Sequence, residues 1–139
     1  MSGMVHNVIS RRQFTFTTVA GSGTLDIPLV RAIDVSEAKA VDVVVRVHAL
    51  TGASATATIA IHSRAISLTS EEPDVDFTNS TELGTVTLNN LTPTAPCLAL
   101  GALTAPYGHM IRMFVRGIQP ASAVTLSATL SVDLVVRDN

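Results

Sequence analysis

The clearest pattern in the chain is the alternation of apolar and polar residues over positions 123–137. Apolar side chains occupy every even position from Val124 to Val136, and Thr, Ser, Asp or Arg occupy most of the odd positions. A period of two residues predicts a long β-strand with one buried face. The other face is rich in Thr and Ser, so it can lie against another protein at a small desolvation cost. We therefore expect a β-domain that packs against a partner.

The same period recurs in shorter segments along the chain. The predicted strands are residues 12–19, 24–30, 41–49, 55–61, 85–88, 97–100, 109–116 and the segment 123–137. Pro28 cannot donate a hydrogen bond to a neighbouring strand, so its strand is expected at a sheet edge or to be irregular. Residues 34–38 are compatible with one helical turn capped by Asp34.

Seven or eight short strands with turn signals between them predict an all-β fold, an antiparallel β-sandwich. A jelly roll and an immunoglobulin-like sandwich both remain open at this point. The Cys and Trp hallmarks of immunoglobulin domains are missing, which favours other sandwich topologies. We expect a single domain over residues 1–139, with residues 1–11 as a candidate N-terminal arm.

Two of the predicted strands, 41–49 and 55–61, are close enough in the chain to form a hairpin. If their inward faces are matched, the register places Asp42 opposite His62. His48 and His62 would then be able to lie on one face of the same sheet. Contact between the side chains of Asp42 and His62 tests this pairing.

The composition narrows the range of functions. Hydrophobic residues make up 47% of the chain and charged residues 14%, against about 25% charged in a typical domain. The mean hydropathy is +0.41 and the net charge is -2. The sequence contains no run of about 18 uncharged apolar residues, so it predicts no membrane-spanning helix. It also contains no basic patch large enough to predict nucleic-acid binding. We expect some apolar surface to face partner subunits.

No catalytic motif stands out, so we expect a protein that is not an enzyme and that uses no cofactor. The histidines lack the spacing of a zinc site, and no G-x-S-x-G turn presents a nucleophilic serine. Cys97 is the single cysteine, and its apolar setting predicts a buried small side chain.

Residues 70–83 form the one acidic, polar segment, which we interpret as a long loop anchored in the core by Phe77. Its oxygen ligands resemble those of a calcium site, but the ordered ligand positions and the Gly of an EF-hand are missing. A solvated loop is the commoner outcome, so we predict no metal site. A role as a recognition tip stays open.

Four arginines are predicted on the polar side of their strands: Arg46, Arg112, Arg116 and Arg137. With Asp42 and Asp133 they can form cross-strand ion pairs, or they can contact an acidic patch of a partner. A row of all four on one sheet would favour an interface. We therefore name these four residues as the candidate interface.

Three segments carry a resemblance to known proteins: TLDIPLVRAIDVSEAKAVDVVVRVHAL, EEPDVDF and LSATLSVDLVVRD. They resemble small uncharacterised β-proteins of tailed phages and prophages. Such proteins are similar in size and class to the capsid decoration, or cement, proteins of phage heads. That resemblance implies a trimer or another small homo-oligomer on the outer face of the major capsid protein. It implies no functional residue, because no motif with a known role is matched.

We therefore expect a virion structural protein, with a capsid decoration protein as the first hypothesis. Its expected partners are further copies of itself and the major capsid protein, with no nucleic acid and no membrane. Its expected location is the virion, after assembly in the host cytoplasm. The alternative is a binding module of a tail or fibre that recognises a receptor or glycan.

Overall fold

The computed structural model of the chain describes residues 3–17, 24–29, 33–36, 38–53, 57–66, 80–88, 97–107, 110–118 and 125–137. These residues contain the strands β1 (Gly3–Thr17), β2 (Thr24–Pro28), β3 (Ile33–Asp34), β4 (Ala40–Thr51), β5 (Thr58–Ile66), β6 (Ser80–Thr87), β7 (Cys97–Ala102), β8 (Met110–Ile118) and β9 (Thr125–Arg137). Within these ranges there is no helix, and therefore none long and apolar enough to cross a membrane.

The strands lie in two antiparallel sheets. Sheet A has the order β1-β9-β4-β7, and sheet B has the order β2-β8-β5-β6, with the short β3 also paired to β8. The pairs are nested along the chain: β1 pairs with β9, β2 with β8, β4 with β7 and β5 with β6. A long antiparallel hairpin rolled up in this way is a jelly roll. The predicted all-β antiparallel sandwich is confirmed, and the strand order decides for the jelly roll.

The inward faces of the strands follow the alternation in the sequence. On β9 the even residues from Leu126 to Leu134 are buried, which confirms the predicted long strand. On β4 the inward residues Val41, Val43, Val45 and Val47 are at most 1% exposed. They share the core between the sheets with apolar residues of sheet B such as Ile59 and Ile61.

The two sheets approach closely where β1 lies over β8. A Cβ atom added at Gly117 would lie 2.6 Å from ring carbons of Phe16, which is closer than real contacts allow. Phe16 is 1% exposed. The missing side chain of Gly117 therefore makes room for the ring of Phe16 between the sheets.

The prediction for Pro28 is confirmed, because β2 ends the order of sheet B and pairs with β8. Proline lacks the N–H group that would donate a hydrogen bond to a neighbouring strand, and a strand at the edge has a neighbour on one side only. Of the candidate arm at residues 1–11, residues 3–11 are described; they lie within β1 and pair with β9 over most of their length.

The predicted hairpin is wrong. The strand containing Asp42 pairs with β7 and β9 in sheet A, whereas the strand containing His62 pairs with β6 and β8 in sheet B. Asp42 and His62 are therefore not cross-strand neighbours, and His48 and His62 do not share a sheet. The apolar side chains of two strands are buried equally well in two arrangements. The strands can face each other across the core, or they can pair side by side in one sheet.

Smaller differences concern turns and strand ends. Asp34 belongs to β3 and accepts a hydrogen bond of 2.9 Å from the N–H of Ser36, and the N–H of Ala38 donates to the carbonyl of Val35 at 2.9 Å, so a turn follows β3 in the segment predicted as one helical turn. The strand predicted at residues 85–88 begins at Ser80. Phe77, residues 67–79 and the side chain of Cys97 lie outside the described part of the structure.

Candidate interaction surface

The outward side chains of sheet A form a mostly neutral surface. Because directly opposed residues of an antiparallel pair point to the same face, Val44 lies beside Asp133 and Arg46 lies beside Ser131. The remaining outward residues of β9 are Thr125, Ser127, Thr129, Val135 and Arg137. The Thr- and Ser-rich face that the sequence predicted is thus the outer face of sheet A.

Several polar groups of this face are hydrogen-bonded within the chain. The hydroxyl of Ser131 lies 2.8 Å from Nε2 of His48 and accepts a hydrogen bond of 3.0 Å from the backbone N–H of Arg11. Arg11 has a φ of 48° and sits where β1 changes register against β9. Asn7 donates to the Asp133 carboxylate at 2.9 Å. These polar groups therefore already have hydrogen-bond partners within the chain and depend less on bonds to water.

One of the predicted cross-strand ion pairs is present. The guanidinium of Arg137 on β9 contacts the carboxylate of Asp42 on β4. The Asp42 side chain is 15% exposed, so this pair is partly shielded from solvent. Two of the formal charges on the outer face therefore neutralise each other, while Arg46 stays exposed.

The most apolar exposed part of this face lies at β7. Leu98 is 60% exposed and Leu100 is 66% exposed. They lie opposite Arg46 and the half-buried Val44 on β4. We call Val44, Arg46, Leu98 and Leu100 the β7 edge surface. The sequence predicted a strand here, but alternation alone does not tell which face of a short edge strand meets solvent.

The structure does not bring the four candidate arginines into one row. Arg46 and Arg137 lie on sheet A, whereas Arg112 and Arg116 lie on β8 of sheet B. Arg112 is 7% exposed, so it is buried within the chain. The condition that would favour an interface, all four arginines on one sheet, is therefore not met, because β4 and β9 belong to a different sheet from β8. An interface role for Arg46, Arg112, Arg116 and Arg137 stays a prediction.

A polar cluster on sheet B was missed from the sequence. The Glu82 carboxylate lies 3.0 Å from Nδ1 of His62 and 3.5 Å from the Arg64 guanidinium, and it also accepts a hydrogen bond from Thr85. The hydrogen bond from Thr85, followed by the charges of His62 and Arg64, lowers the pKa of Glu82 despite some opposing burial. The acidic segment predicted as a loop includes Glu82, but Glu82 lies on β6 and pairs with Arg64 on β5.

No group of three or more His, Cys, Asp and Glu side chains in the described residues is arranged to hold a metal ion. Glu82 is the member of the acidic segment that the structure describes with its side chain, and it is engaged with His62, Arg64 and Thr85. The other acidic residues of that segment, Glu71, Glu72, Asp74 and Asp76, lie outside the described residues. The open question of a metal or a partner at residues 70–83 therefore stays a prediction.

Tyr107, the one tyrosine of the chain, is 8% exposed, and its hydroxyl donates to the backbone carbonyl of Leu103 at 3.4 Å. Carbohydrate-binding sandwiches use exposed aromatic rings as platforms for sugars. Tyr107 packs into the core instead, so it does not provide such a platform.

No protein-family model matches the chain, and no curated protein matches it. Among solved structures, the fold is similar to that of a chain of the infectious bursal disease virus Gx strain, with a TM-score of 0.57 and 14% sequence identity, over 97% of this chain and 31% of that chain. A chain of the VP2 subviral particle of the same virus gives a TM-score of 0.54 at 14% identity, over 99% of this chain and 33% of that one. This chain spans about a third of the length of those viral chains. At this identity the likeness shows a shared fold.

Proposed function

We propose that this chain is a virion structural protein, and more specifically a capsid decoration protein that binds the major capsid protein shell of a phage and stabilises it. The observation that carries the proposal is the jelly-roll arrangement of the described strands, a fold similar at a TM-score of 0.54 to part of a chain of the VP2 subviral particle of infectious bursal disease virus. Fold likeness alone does not assign a role, so the surface must also suit the function.

The outer face of sheet A supports this role on physical grounds. A decoration protein gains its stabilising effect from repeated contacts, and polar groups that are already hydrogen-bonded within the chain, such as those of Ser131 and Asp133, lose little on desolvation. Asp42 and Arg137 neutralise each other on this face, which leaves Arg46 as an exposed cation beside Leu98 and Leu100. We propose that Arg46 orients the protein against an acidic patch of the shell.

The proposal assigns the chain no catalytic reaction and no cofactor. Its partners are further copies of itself and the major capsid protein, and its location is the virion. We propose that the bound copies make the shell more resistant to disruption. Each copy makes weak contacts with the shell, and the contacts of many copies add up through multivalency.

The test is co-sedimentation of the purified chain with DNA-free heads of the phage that encodes it. We expect saturable binding with a fixed number of copies per head, and heads that survive dilution into low salt better with the chain bound. Arg46→Glu should weaken binding by reversing the exposed charge. The matched control, Arg12→Glu, changes an arginine that lies over the Phe14 ring on β1, at the far edge of the same sheet.

Absence of binding to heads would contradict the decoration role. Immunogold labelling of intact virions separates the remaining alternatives. Label on the tail or fibres, together with glycan or receptor binding, would favour the binding module over the decoration protein. Absence of the chain from virions would contradict a virion structural role altogether.

A further inference from the structure

The four sheet edges of the described structure differ in how they are protected from pairing with other strands. Natural edge strands carry charges, prolines or bulges that block such pairing. The edge strand β1 contains Arg11 and Arg12 and two register shifts, and β2 contains Asp26 and Pro28. β6 contains Glu82 and has a register shift in its ladder with β5. Three edges therefore carry at least two protective features each.

The fourth edge, β7, has none of these features. Its sequence is Cys-Leu-Ala-Leu-Gly-Ala, without charge and without proline, and its pairing with β4 has no register shift. It ends the order of sheet A, with β4 as its hydrogen-bonded neighbour among the described strands. Leu98 and Leu100 project outward from it and are mostly exposed. An unprotected, apolar edge of this kind can pair with a further strand through backbone hydrogen bonds.

We propose that β7 pairs antiparallel with β7 of a second copy of this chain, which joins two copies of sheet A into one continuous eight-stranded sheet. A second copy fits because the edge is complementary to itself. With a two-fold axis perpendicular to the sheet, outward residues must lie opposite outward residues. A register centred on Ala99 then places Leu98 opposite Leu100 of the second copy, and the four leucines of the pair meet on one face.

The charges near this edge are compatible with the pairing. Arg46 lies one strand away from Leu98, on β4. In the proposed dimer the two copies of Arg46 are separated by three strand spacings, at least about 14 Å. That distance exceeds the screening length of about 8 Å at physiological ionic strength. Repulsion between the two arginines is therefore small.

The contact is short, because six residues of strand extend over only about 20 Å. It buries less than the roughly 800 Å² per partner of a standard stable interface. We therefore expect an association that depends on protein concentration in free solution. It becomes strong when copies are held close together on a common surface.

The test is the mass of the full chain by light scattering over a concentration series. We expect the mass to rise from one copy to two. Leu98→Lys and Leu100→Lys should each raise the dissociation constant of the dimer at least tenfold, about 1.4 kcal/mol, by placing a charge in the new strand pair. The matched control is Val5→Lys, which changes a side chain that is 64% exposed on β1, at the opposite edge of the same sheet, and it should associate like the unchanged chain.

Cross-linking tests the register. In a Cys97→Ser background, a mixture of the Leu98→Cys and Leu100→Cys variants should form disulfide-linked dimers faster than either variant alone, because those positions are opposed. Cross-linking of Leu100→Cys with itself would overturn the register centred on Ala99. A monomer at all concentrations, a trimer, or a dimer unaffected by Leu98→Lys would overturn the pairing itself. No phage head enters these measurements, so their failure is separate from failure of the shell-binding proposal.

Discussion

At the scale of single residues, Glu82 shows how strand pairing creates an electrostatic site. Its side chain is 41% exposed, and its carboxylate is held by Thr85 on its own strand and by His62 and Arg64 on β5. These partners favour the ionised carboxylate, and they lower the pKa of Glu82 in the folded chain. A lowered pKa in the folded state means that ionised Glu82 adds to stability.

The sign of the pH dependence follows from this direction. The contribution of Glu82 is fully present above the ordinary pKa of an unfolded glutamate, and it is lost as the pH falls through the lowered pKa of the folded state. We expect Glu82→Gln to reduce the free energy of unfolding by no more than about 1 kcal/mol at neutral pH, because exposed ion pairs contribute little. The difference should vanish in acid.

Denaturant unfolding of both proteins across pH measures this difference, and NMR titration reports the carboxyl group directly. Thr85→Val removes the hydrogen bond that lowers the pKa of Glu82 most, so the pKa of Glu82 should rise in that variant. A stability difference that is the same at every pH would contradict a role for the carboxylate charge.

Gly52 is the residue at which the chain leaves β4. Its φ is +80°, a conformation that L side chains rarely adopt, and an added Cβ atom would collide with the backbone carbonyl oxygen of Thr125. We expect Gly52→Ala to lower the free energy of unfolding by at least about 1–2 kcal/mol, the cost of a left-handed conformation alone. Gly3→Ala is the control, because its nearest atoms lie at an ordinary contact distance of 3.6 Å. Equal stability of the two variants in chemical denaturation would disprove the argument.

At the scale of elements, β1 illustrates how an apparently free segment becomes part of a sheet. Residues 3–11 lack a simple alternation, because β1 changes register twice between Asn7 and Arg12. Val8 and Ile9 nevertheless are 6% and 7% exposed and belong to the core. The register shifts explain why the period of two is lost here although the strand continues.

Deletion of residues 2–11 tests whether this part of β1 is structural. We expect the free energy of unfolding to fall by about 3 kcal/mol or more, since burial of Val8 and Ile9 contributes roughly 1.5–3 kcal/mol each. The deletion also uncovers part of β9, so the shortened chain should aggregate more readily. Met4→Thr is the control, because Met4 is 57% exposed. Unchanged stability of the shortened chain would mean that the segment is an arm.

At the scale of the whole molecule, the jelly roll joins strands that are far apart in the chain. The backbone of Arg11 bonds to the side chain of Ser131, 120 residues later. Such nested pairs bring the outer strands β1 and β9 together in sheet A, and β2 and β8 together in sheet B. This arrangement places the neutral Thr- and Ser-rich face of β9 and the apolar edge of β7 on the same side of the molecule. Both surfaces named for partners therefore belong to one sheet.

The amino-acid sequence by itself determined that the fold is built of strands and which side chains of the long strands β4 and β9 face inward. Alternation identified the buried residues of β4 and β9, and Pro28 marked an edge, because both signals depend only on neighbouring residues. Continued alternation from Val47 would place Ala49 on the inward face, but a register shift after Val47 leaves Ala49 exposed. A single extra residue in a ladder is enough to reverse a face.

The tertiary structure alone decided which strands pair. An apolar face can be buried by a neighbour in its own sheet or by the opposite sheet, and the local pattern is the same in both cases. For this reason the predicted hairpin was wrong, and the four candidate arginines lie on two sheets. The sequence did not predict the cluster around Glu82, and it did not predict the exposure of Leu98 and Leu100. These features depend on contacts between distant segments, and such contacts arise only when the whole sandwich has formed.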